Sequence, residues 1–371
     1  MNCICSQRDF QQALTAASKA LPTKAQTPIL NGVLITAKNN QLEIQATDFS
    51  LGVIAKIPAE IETEGAIVVN GKYITEIVSK LAGDIVTIST EENSAIFKSE
   101  TTTFSLYTMD AADYPKVSVQ EFNHSFFIRN NVLRNLIARS TFAASNDDSR
   151  PIFQGCSVTI SGNNITFVAT NTHRLVVAKA EIEDNIEGEN KFIVPAKTLN
   201  DLIGIINSAR EDNGVKVEFS DKHIAFTVND VFVTCRLIDG QFPPHEKVIP
   251  ASCETYATVD IGEFRAAINS VEIISKQTEY NTVILSFSSE GLQLSSNSFD
   301  TGKVDTHLNA AVEGPNIEIA FNLKYIQDFL RIFGSNDEVR IGMNDKLSPA
   351  DFRLTDEVNY IYIVTPVRTN N

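Results

Sequence analysis

The chain has 371 residues, 43% hydrophobic and 21% charged, which suits two or three domains with ordinary cores. It contains no apolar run of about 18 residues and no N-terminal signal peptide, so we expect a cytoplasmic protein without a membrane partner. The net charge of −15, taken alone, argues against a nucleic-acid binder, because phosphate contacts need Lys and Arg.

Hydrophobic periodicity predicts the same order of strands and helices three times. In the first repeat it predicts strand 3–6, helix 9–20, strands 28–37, 41–48, 51–57 and 67–69, helix 72–81, and strands 84–90, 94–99 and 103–108. In the second it predicts strand 126–128, helix 131–142, strands 152–160, 164–170, 174–180 and 191–194, helix 197–209, and strands 214–219, 223–228 and 231–237. In the third it predicts strand 256–259, helix 262–275, strands 282–288, 291–297, 302–308 and 317–320, helix 324–333, and strands 338–343, 351–354 and 360–364.

Residue identities support the repeat directly. The segment from Arg150-Pro-Ile-Phe-Gln-Gly155 to Thr170-Asn-Thr-His-Arg-Leu175 has an earlier counterpart that runs from Thr27-Pro-Ile-Leu-Asn-Gly32 to Ile57. Gly32 and Gly155 lie 123 residues apart, so the repeating unit has the size of a domain. We predict an α+β fold of three similar domains, each with two β-α-β-β-β halves, at residues 1–123, 124–252 and 253–371, joined by linkers near 117–123 and 243–252.

The second helix of each repeat carries the clearest pattern. Counted from Lys72, Lys197 and Lys324, apolar residues recur at positions +2, +5, +6 and +9. This spacing predicts one apolar stripe that lies on a sheet while the opposite face stays in water. The stripe residues are Ile74, Ile77, Val78 and Leu81, then Leu199, Leu202, Ile203 and Ile206, then Ile326, Phe329, Leu330 and Phe333.

Positive charge is concentrated on the predicted helices. Residues 7–20, 72–82, 130–140, 196–210, 262–276 and 323–333 hold twelve basic and six acidic side chains, a net charge of +6 that leaves −21 for everything else. If the helices share one side, that surface attracts phosphates and the rest of the molecule repels them. For any single helix, a solvated amphipathic face is the favoured interpretation, and only the six helices taken together favour a segregated basic surface. No base-reading pattern accompanies these cations, so a DNA contact would be to the backbone and insensitive to sequence.

The five cysteines and five histidines are dispersed without the spacing of a metal site, so we predict free thiols and no cofactor. An enzyme is the second hypothesis. Its usual motifs are absent: the glycines before Lys72 have the wrong spacing for a phosphate loop, and no Gly-x-Ser-x-Gly, His-Glu-x-x-His or Cys-x-x-Cys occurs. The acidic pairs Asp147-Asp148 and Asp110/Asp113 have no nearby histidine. We therefore predict no catalytic residue.

Five motifs give the sequence a resemblance to a known family, the bacterial sliding clamps, which are β subunits of the replicative DNA polymerase. The motifs are Thr27-Pro-Ile-Leu-Asn-Gly32, Ser149-Arg-Pro-Ile-Phe-Gln-Gly155, Val168-Ala-Thr-Asn-Thr-His-Arg-Leu-Val-Val177, Asp239-Gly-Gln-Phe-Pro243 and Ile363-Val-Thr-Pro-Val-Arg368. The resemblance covers the whole chain in register. It implies a head-to-tail homodimer that forms a ring around double-stranded DNA, with helices lining the hole, and a processivity factor that tethers the polymerase.

The resemblance also implies a groove for short linear motifs of the DNA polymerase III alpha subunit, the clamp loader, other polymerases and repair proteins. An apolar trough would take leucine or phenylalanine anchors, and hydroxyls and cations would orient the peptide at its rim. Carried over by motif, its residues are Phe153, Thr170, Thr172, His173, Arg174, Leu175, Pro243, Lys247, Val248, Leu347, Pro349, Val364, Thr365, Pro366, Val367 and Arg368. Read from the residues alone, His173 and Arg174 could equally be a strand-turn pair that satisfies backbone carbonyls.

Three positions depart from the family pattern: Thr172, Thr365 and Lys247 stand where glycine, methionine and arginine are common. They motivate a third hypothesis, a scaffold or antibiotic-resistance copy of the clamp with an altered peptide preference.

The remaining expectations concern DNA and the second subunit. The resemblance implies DNA contacts at Lys24, Lys72, Arg150 and Lys197. The positive charge of the predicted helices adds five candidate DNA contacts, Lys80, Arg139, Arg210, Lys324 and Arg331. The resemblance places the subunit interface at Phe104 and Leu106 on one side and Ile273 and Ile274 on the other, although ordinary core positions would explain these four residues as well.

Overall fold

A computed structural model describes residues 1–25, 27–209 and 213–368. The chain forms two compact units, which are described separately. Unit 1 comprises Met1–Arg134, Ile182–Asp184 and Lys197–Ile238, and unit 2 comprises Asn135–Glu181, Asn185–Ala196 and Asp239–Asn371.

The described residues form an α+β fold in which strands greatly outnumber helices, so the predicted fold class is confirmed. The helices are α1 (Gln7–Ala17), α2 (Gly71–Lys80), α3 (Asn130–Ser140), α4 (Ala196–Ser208), α5 (Ile261–Ser275) and α6 (Leu323–Leu330). The strands are β1 (Asn2–Ser6), β2 (Gly32–Lys38), β3 (Gln41–Thr47), β4 (Leu51–Thr63), β5 (Gly65–Asn70), β6 (Ile85–Glu91), β7 (Ser94–Lys98), β8 (Thr103–Tyr107), β9 (His124–Ile128), β10 (Gly155–Thr170), β11 (Arg174–Pro195), β12 (Val215–Phe219), β13 (His223–Val228), β14 (Val231–Arg236), β15 (Thr255–Asp260), β16 (Thr282–Ser288), β17 (Gly291–Ser298), β18 (Gly302–Leu308), β19 (Ala311–Glu313), β20 (Ile317–Asn322), β21 (Glu338–Met343), β22 (Ala350–Leu354) and β23 (Tyr360–Val364).

Unit 1 contains a twelve-stranded antiparallel sheet in which the neighbours follow the order β8-β7-β6-β1-β4-β14-β13-β12-β9. The strand β3 pairs with both β4 and β2, and β2 also pairs with β5. Val53 of β4 lies opposite Val233 of β14, so strands of the first and second sequence repeats belong to one sheet.

Unit 2 contains two antiparallel sheets. The larger has the order β10-β11-β23-β22-β21-β15-β19, and the smaller has the order β18-β17-β16-β20. Leu175 of β11 lies opposite Ile363 of β23, which joins the second repeat to the third by the same kind of strand pair as in unit 1.

The helices form where a polar cap precedes an amphipathic segment. The side chains of Ser6, Asn70 and Asp260 each accept a hydrogen bond from a backbone N–H in the first turn of α1, α2 and α5, which satisfies a donor that the helix itself cannot pair. The predicted apolar stripe of the second helices is buried, except that Ile77 and Ile203 are half-buried. Burial of this stripe, rather than helix propensity, holds these short helices in place.

Several predicted boundaries differ from the structure. The strands predicted from residues 28 and 152 begin later, because Pro28–Asn31 and Pro151–Gln154 form 3-10 turns in which proline takes the first position and has no N–H for a sheet. Predicted strands 152–160 and 164–170 form one long strand, β10, with a bulge at Gly162, where φ is +60°. Likewise, strands 174–180 and 191–194 are both part of β11, and the short strand β19 was not predicted.

Candidate functional site

One group of candidate groove residues in unit 2 forms a tight turn between β10 and β11. The Thr170 hydroxyl donates to the Arg174 carbonyl at 2.6 Å and accepts from the Thr172 N–H at 3.1 Å. The Asn171 side-chain oxygen accepts from the N–H groups of His173 and Arg174, both at 3.0 Å. Thr172 has φ of +77°, a conformation that β-branched residues rarely adopt. The side chains of Thr170 and Asn171 therefore hold the turn. The side chains of Thr172 and His173 are exposed.

Arg174 lies beneath this turn, and its side chain is only 9% exposed. Its guanidinium donates to the Asp328 carboxylate at 2.7 Å and to the Phe142 carbonyl. The same group lies over the rings of Phe142 and Tyr325, at 5.3 and 4.7 Å from their centroids. Arg174 was expected among the cations at the rim, but its charge is already paired inside the protein. Its role here is to hold the turn against α6.

The C-terminal segment lies beside the turn. Val364, fully buried at the end of β23, is the sheet partner of both Arg174 and Ala350. Thr365 then donates twice to the His173 carbonyl, through its N–H and its hydroxyl, each at 2.9 Å. Val367 donates its N–H to the Ala320 carbonyl at 2.8 Å. The structure thus brings together two candidate groove motifs whose contacting residues, His173 and Thr365, lie 192 residues apart in sequence.

A second group of candidate residues surrounds an aromatic pair. Phe153 meets the buried Phe242 edge to face, with ring centroids 6.1 Å apart, and the Arg150 guanidinium lies 5.9 Å from the Phe153 ring. Pro243 follows Phe242 and is exposed. This group supplies an apolar wall next to a cation.

The last candidate groove residues lie on two exposed loops. Val248 is 48% and Leu347 is 60% exposed, so both loops offer an apolar side chain to the solvent. Lys247 is exposed, whereas Pro349 is half-buried. The Leu347 loop is ordered by Asp345, whose carboxylate accepts from Leu347, from Ser348 N–H and from the Ser348 hydroxyl, and these bonds lower its pKa.

Four supporting residues were not among the sequence candidates: Asn171, Phe142, Tyr325 and Asp328. Asn171 lies inside the Thr170–Leu175 motif, and its ability to bond to its own backbone two residues onward could have identified it. The other three lie 32 to 154 residues from Arg174 in sequence, and Asp328 looks like any solvated helix acid. No sequence signal could have found that pairing.

The candidate DNA-binding cations of unit 1 are exposed, but they differ in how they are paired. Lys80 pairs with Glu76 at 2.7 Å and Lys197 pairs with Asp201 at 3.6 Å, each within one helix. Lys24 and Lys72 form no ion pair with any residue in the described ranges. Arg210 lies outside the described residues.

In unit 2, each candidate cation pairs with an acid, and two of them share the same one. Lys324 and Arg331 reach Asp328 at 3.4 and 3.8 Å from exposed positions on or beside α6, so Asp328 contacts three cations including Arg174. Arg139 pairs with Glu357 and lies 5.1 Å from the centre of the Phe333 ring, which leaves it only partly exposed. Arg150 is exposed and reaches Asp147 at 3.9 Å. Exposed ion pairs of this kind are weak and screened by salt, so these cations remain able to exchange partners with phosphate.

The candidate interface residues lie in both units. In unit 1, Phe104 and Leu106 are half-buried on β8, the terminal strand of the sheet path, whose neighbour Tyr107 is 89% exposed. In unit 2, Ile273 is 74% exposed at the end of α5, and Ile274 is half-buried. These apolar side chains on a sheet edge and a helix end have the composition of a contact surface.

The thiols offer no nucleophile. Burial raises the pKa of Cys3 to about 11 and that of Cys5, Cys156 and Cys235 to about 12, so these groups stay protonated near neutral pH. Within the described ranges, no group of three His, Cys, Asp or Glu side chains is placed to hold a metal ion. None of the described helices is both long and apolar enough to cross a membrane.

Comparison with known proteins gives matches over almost the whole chain. Family models described as the N-terminal, central and C-terminal domains of the DNA polymerase III beta subunit match residues 1–118, 127–244 and 246–368. A beta sliding clamp of Staphylococcus epidermidis is 30% identical over 370 residues, covering 97% of each chain, and one of Staphylococcus aureus is 29% identical with the same coverage.

The solved structures agree with this result. A DNA polymerase sliding clamp from Bacillus subtilis superposes with a TM-score of 0.93 at 27% identity, over 100% of this chain and 99% of the other. A DNA polymerase III beta subunit from Thermotoga maritima gives a TM-score of 0.94 at 29% identity and 99% coverage of both chains. The three-domain arrangement inferred from the repeats is therefore that of a known fold. Nothing in these comparisons favours a resistance or scaffold copy.

Proposed function

Because the chain belongs to the DNA polymerase III beta subunit family, the sliding clamps, we propose that it is a non-catalytic processivity clamp that encircles double-stranded DNA. The observation that carries the proposal is the match of three family domains in tandem over nearly the full length. The proposal includes the domain boundaries 1–123, 124–252 and 253–371, a cytoplasmic location, and a head-to-tail homodimer that closes the ring.

DNA is held by charge without base contacts. The candidate cations lie on helices and adjoining loops, and Lys24 and Lys72 are exposed without an internal partner among the described residues. Cations that contact only phosphates fix no sequence and let the protein slide. The paired cations Lys80, Lys197, Lys324 and Arg331 contribute a positive field that neighbouring acids partly offset. A topological link, rather than tight binding, then keeps the protein on DNA.

The unit 2 groove captures the polymerase alpha subunit, the clamp loader and other polymerases and repair proteins through short motifs. Exposed Val248 and Leu347 and half-buried Phe153 offer apolar surface to leucine or phenylalanine anchors. The exposed turn residues His173 and Thr172 offer polar contacts at one end. Arg174 acts indirectly, because its buried ion pair fixes the shape of the turn.

Loading onto circular DNA tests the proposal. The purified protein, its clamp loader and ATP are incubated with a nicked circular plasmid, and the DNA is then separated from free protein by gel filtration. We expect the protein to travel with the circle and to be lost when a restriction enzyme linearises it. Retention on linear DNA with open ends, or nucleotide or DNA hydrolysis by the protein alone, would contradict the proposal.

The dimer is tested separately by light scattering, in which the expected mass is twice the chain's 40.8 kDa. Ile273→Glu should yield monomers that no longer load, because it places a charge at an exposed apolar position of the proposed interface. Val358→Glu is the matched control. Val358 is also apolar and 92% exposed but lies outside the proposed interface, so this variant should stay dimeric.

A further inference from the structure

Unit 1 contains a second copy of the groove turn. The Thr47 hydroxyl donates to the Leu51 carbonyl at 2.9 Å and accepts from the Phe49 N–H at 3.0 Å. The Asp48 carboxylate accepts from the N–H groups of Ser50 and Leu51 at 2.9 and 2.7 Å. Phe49 has φ of +72°. Each of these bonds has its counterpart in the turn from Thr170 to Arg174.

The strand beside the turn is repeated as well. The Arg236 N–H donates to the Ser50 carbonyl at 2.9 Å, as the Thr365 N–H donates to the His173 carbonyl at 2.9 Å. Both bonds lie just beyond the end of a strand pair, β4 with β14 and β11 with β23. The backbone that forms one end of the candidate groove is therefore present twice in the chain.

A cavity of about 180 Å³ lies at the unit 1 turn. Its lining includes Phe49, Lys116, Val117, His223 and Arg236, and Phe49 is 70% exposed. We call this cavity the turn pocket. Its volume is below the roughly 300 Å³ at which sites for drug-sized ligands begin, so it suits a single side chain rather than an extended peptide.

The linker that begins near Val117 explains the small size of the turn pocket. Gly52 occupies the position that corresponds to Leu175, and Val117 packs against it so closely that a Cβ on Gly52 would lie 2.6 Å from a Val117 methyl. The Val117 N–H is held by the Gln45 side chain at 3.3 Å. The linker thus closes part of the space that a long peptide would need.

The charge of the pocket indicates its ligand. Lys116 and Arg236 are exposed cations in the lining, to which no described Asp or Glu belongs. This is notable in a chain with a net charge of −15. The nearby Asp48 carboxylate is occupied by the N–H groups of Ser50 and Leu51. Cations beside an exposed aromatic ring suit a carboxylate that is joined to an apolar side chain.

We propose that the turn pocket binds the C-terminal residue of an acidic partner peptide. The apolar side chain packs on Phe49 and Val117, and the terminal carboxylate meets Lys116 and Arg236. This site goes beyond the proposed clamp function, in which partners bind only at the unit 2 groove.

The test uses a fluorescent Gly-Glu-Glu-Leu-Phe peptide with a free C-terminal carboxylate and the full-length chain. The background variant His173→Ala/Pro366→Ala removes contacts of the unit 2 groove. We expect saturable binding to persist in this background, to weaken at least tenfold in Lys116→Glu/Arg236→Glu, and to weaken as strongly when the peptide is amidated. Lys38→Glu, which reverses an exposed cation elsewhere in unit 1, should leave the affinity unchanged.

Three results would overturn the proposal. These are no saturable binding at millimolar peptide in the background variant, equal binding of the acid and amide peptides, and displacement of the peptide by a DNA oligonucleotide through Lys116 and Arg236. Lys116→Glu alone repeats the test if the double variant unfolds, because Lys116 lies exposed in the linker. Plasmid loading is measured for the same variants, so that a failure of the turn-pocket proposal can be told apart from a failure of the clamp function.

Discussion

The turn at Thr47–Leu51 in unit 1 and the turn at Thr170–Arg174 in unit 2 have one backbone and different surroundings. Both use a threonine hydroxyl and an Asp or Asn oxygen to satisfy the same four backbone groups. The largest difference is at the final residue, which is Leu51 in one and Arg174 in the other. The comparison shows that the repeat conserved a self-sufficient turn, and that side chains around it decide what each copy can bind.

The first test of this comparison is Arg174→Ala, which removes the largest difference. Because both side chains of the Arg174–Asp328 pair are mostly buried, breaking it should cost about 3–5 kcal/mol of unfolding free energy. Lys80→Ala breaks an exposed pair with Glu76 and should cost far less, because water already solvates both charges. Urea unfolding measures both. A similar small loss in both variants would mean that the pair does not hold the turn.

The second test is Gly52→Ala, which begins to convert the unit 1 site toward its unit 2 counterpart. The added Cβ meets the Val117 methyl at 2.6 Å, so we expect a loss of about 1–3 kcal/mol. Adding Val117→Ala should recover part of it. The control is Gly204→Ala on α4, where the nearest atom would be 4.0 Å away and helix propensity favours alanine by up to about 1 kcal/mol. Additive losses in the double variant would contradict the contact.

The third test concerns the residue with positive φ in each turn. Replacement of Thr172 by glycine relieves a backbone strain of about 1–2 kcal/mol and adds unfolded-state entropy, so a net gain of up to about 1 kcal/mol is expected. Phe49→Gly should gain less, because phenylalanine is not β-branched. Denaturant midpoints compare the two. A destabilised Thr172→Gly would show that its side chain makes contacts worth more than the strain.

The smallest expected effect is a pH dependence confined to unit 2. Burial lowers the pKa of His245, with the Lys191 and Lys179 charges acting in the same direction and Glu246 opposing them. The pKa of His245 in the folded protein lies below the usual 6.5. Neutral His245 therefore contributes its full stabilisation above pH 6.5, and this stabilisation is lost as the pH falls through the folded pKa. His245→Gln should flatten this part of the stability curve, measured as melting temperature between pH 7 and 5. An unchanged slope would rule out His245 as its source.

The sequence predicted the parts of the fold that depend on local pattern. The helix stripe from Ile74 to Val78, the alternating strands and the repeat itself follow from periodicity, which burial enforces. The groove residues came from motif resemblance, and their roles as contacts remain predictions. Periodicity could not reveal that β10 and β11 continue through expected turns, because residues such as those from Glu181 to Asn190 are mostly polar and bury little apart from Ile182. Nor could it reveal the burial of Arg174 or the packing of Val117 on Gly52, because tertiary neighbours alone create both.

The strand pairs β4–β14 and β11–β23 have a practical consequence. Each joins segments that lie on opposite sides of a connecting linker, so a protease that cuts near residues 117–123 or 243–252 severs the covalent chain without removing a single rung of either ladder. A nicked molecule should therefore migrate as intact protein in a native gel and separate only under denaturing conditions. The same property makes both linkers suitable places to split the gene for complementation by co-expressed fragments.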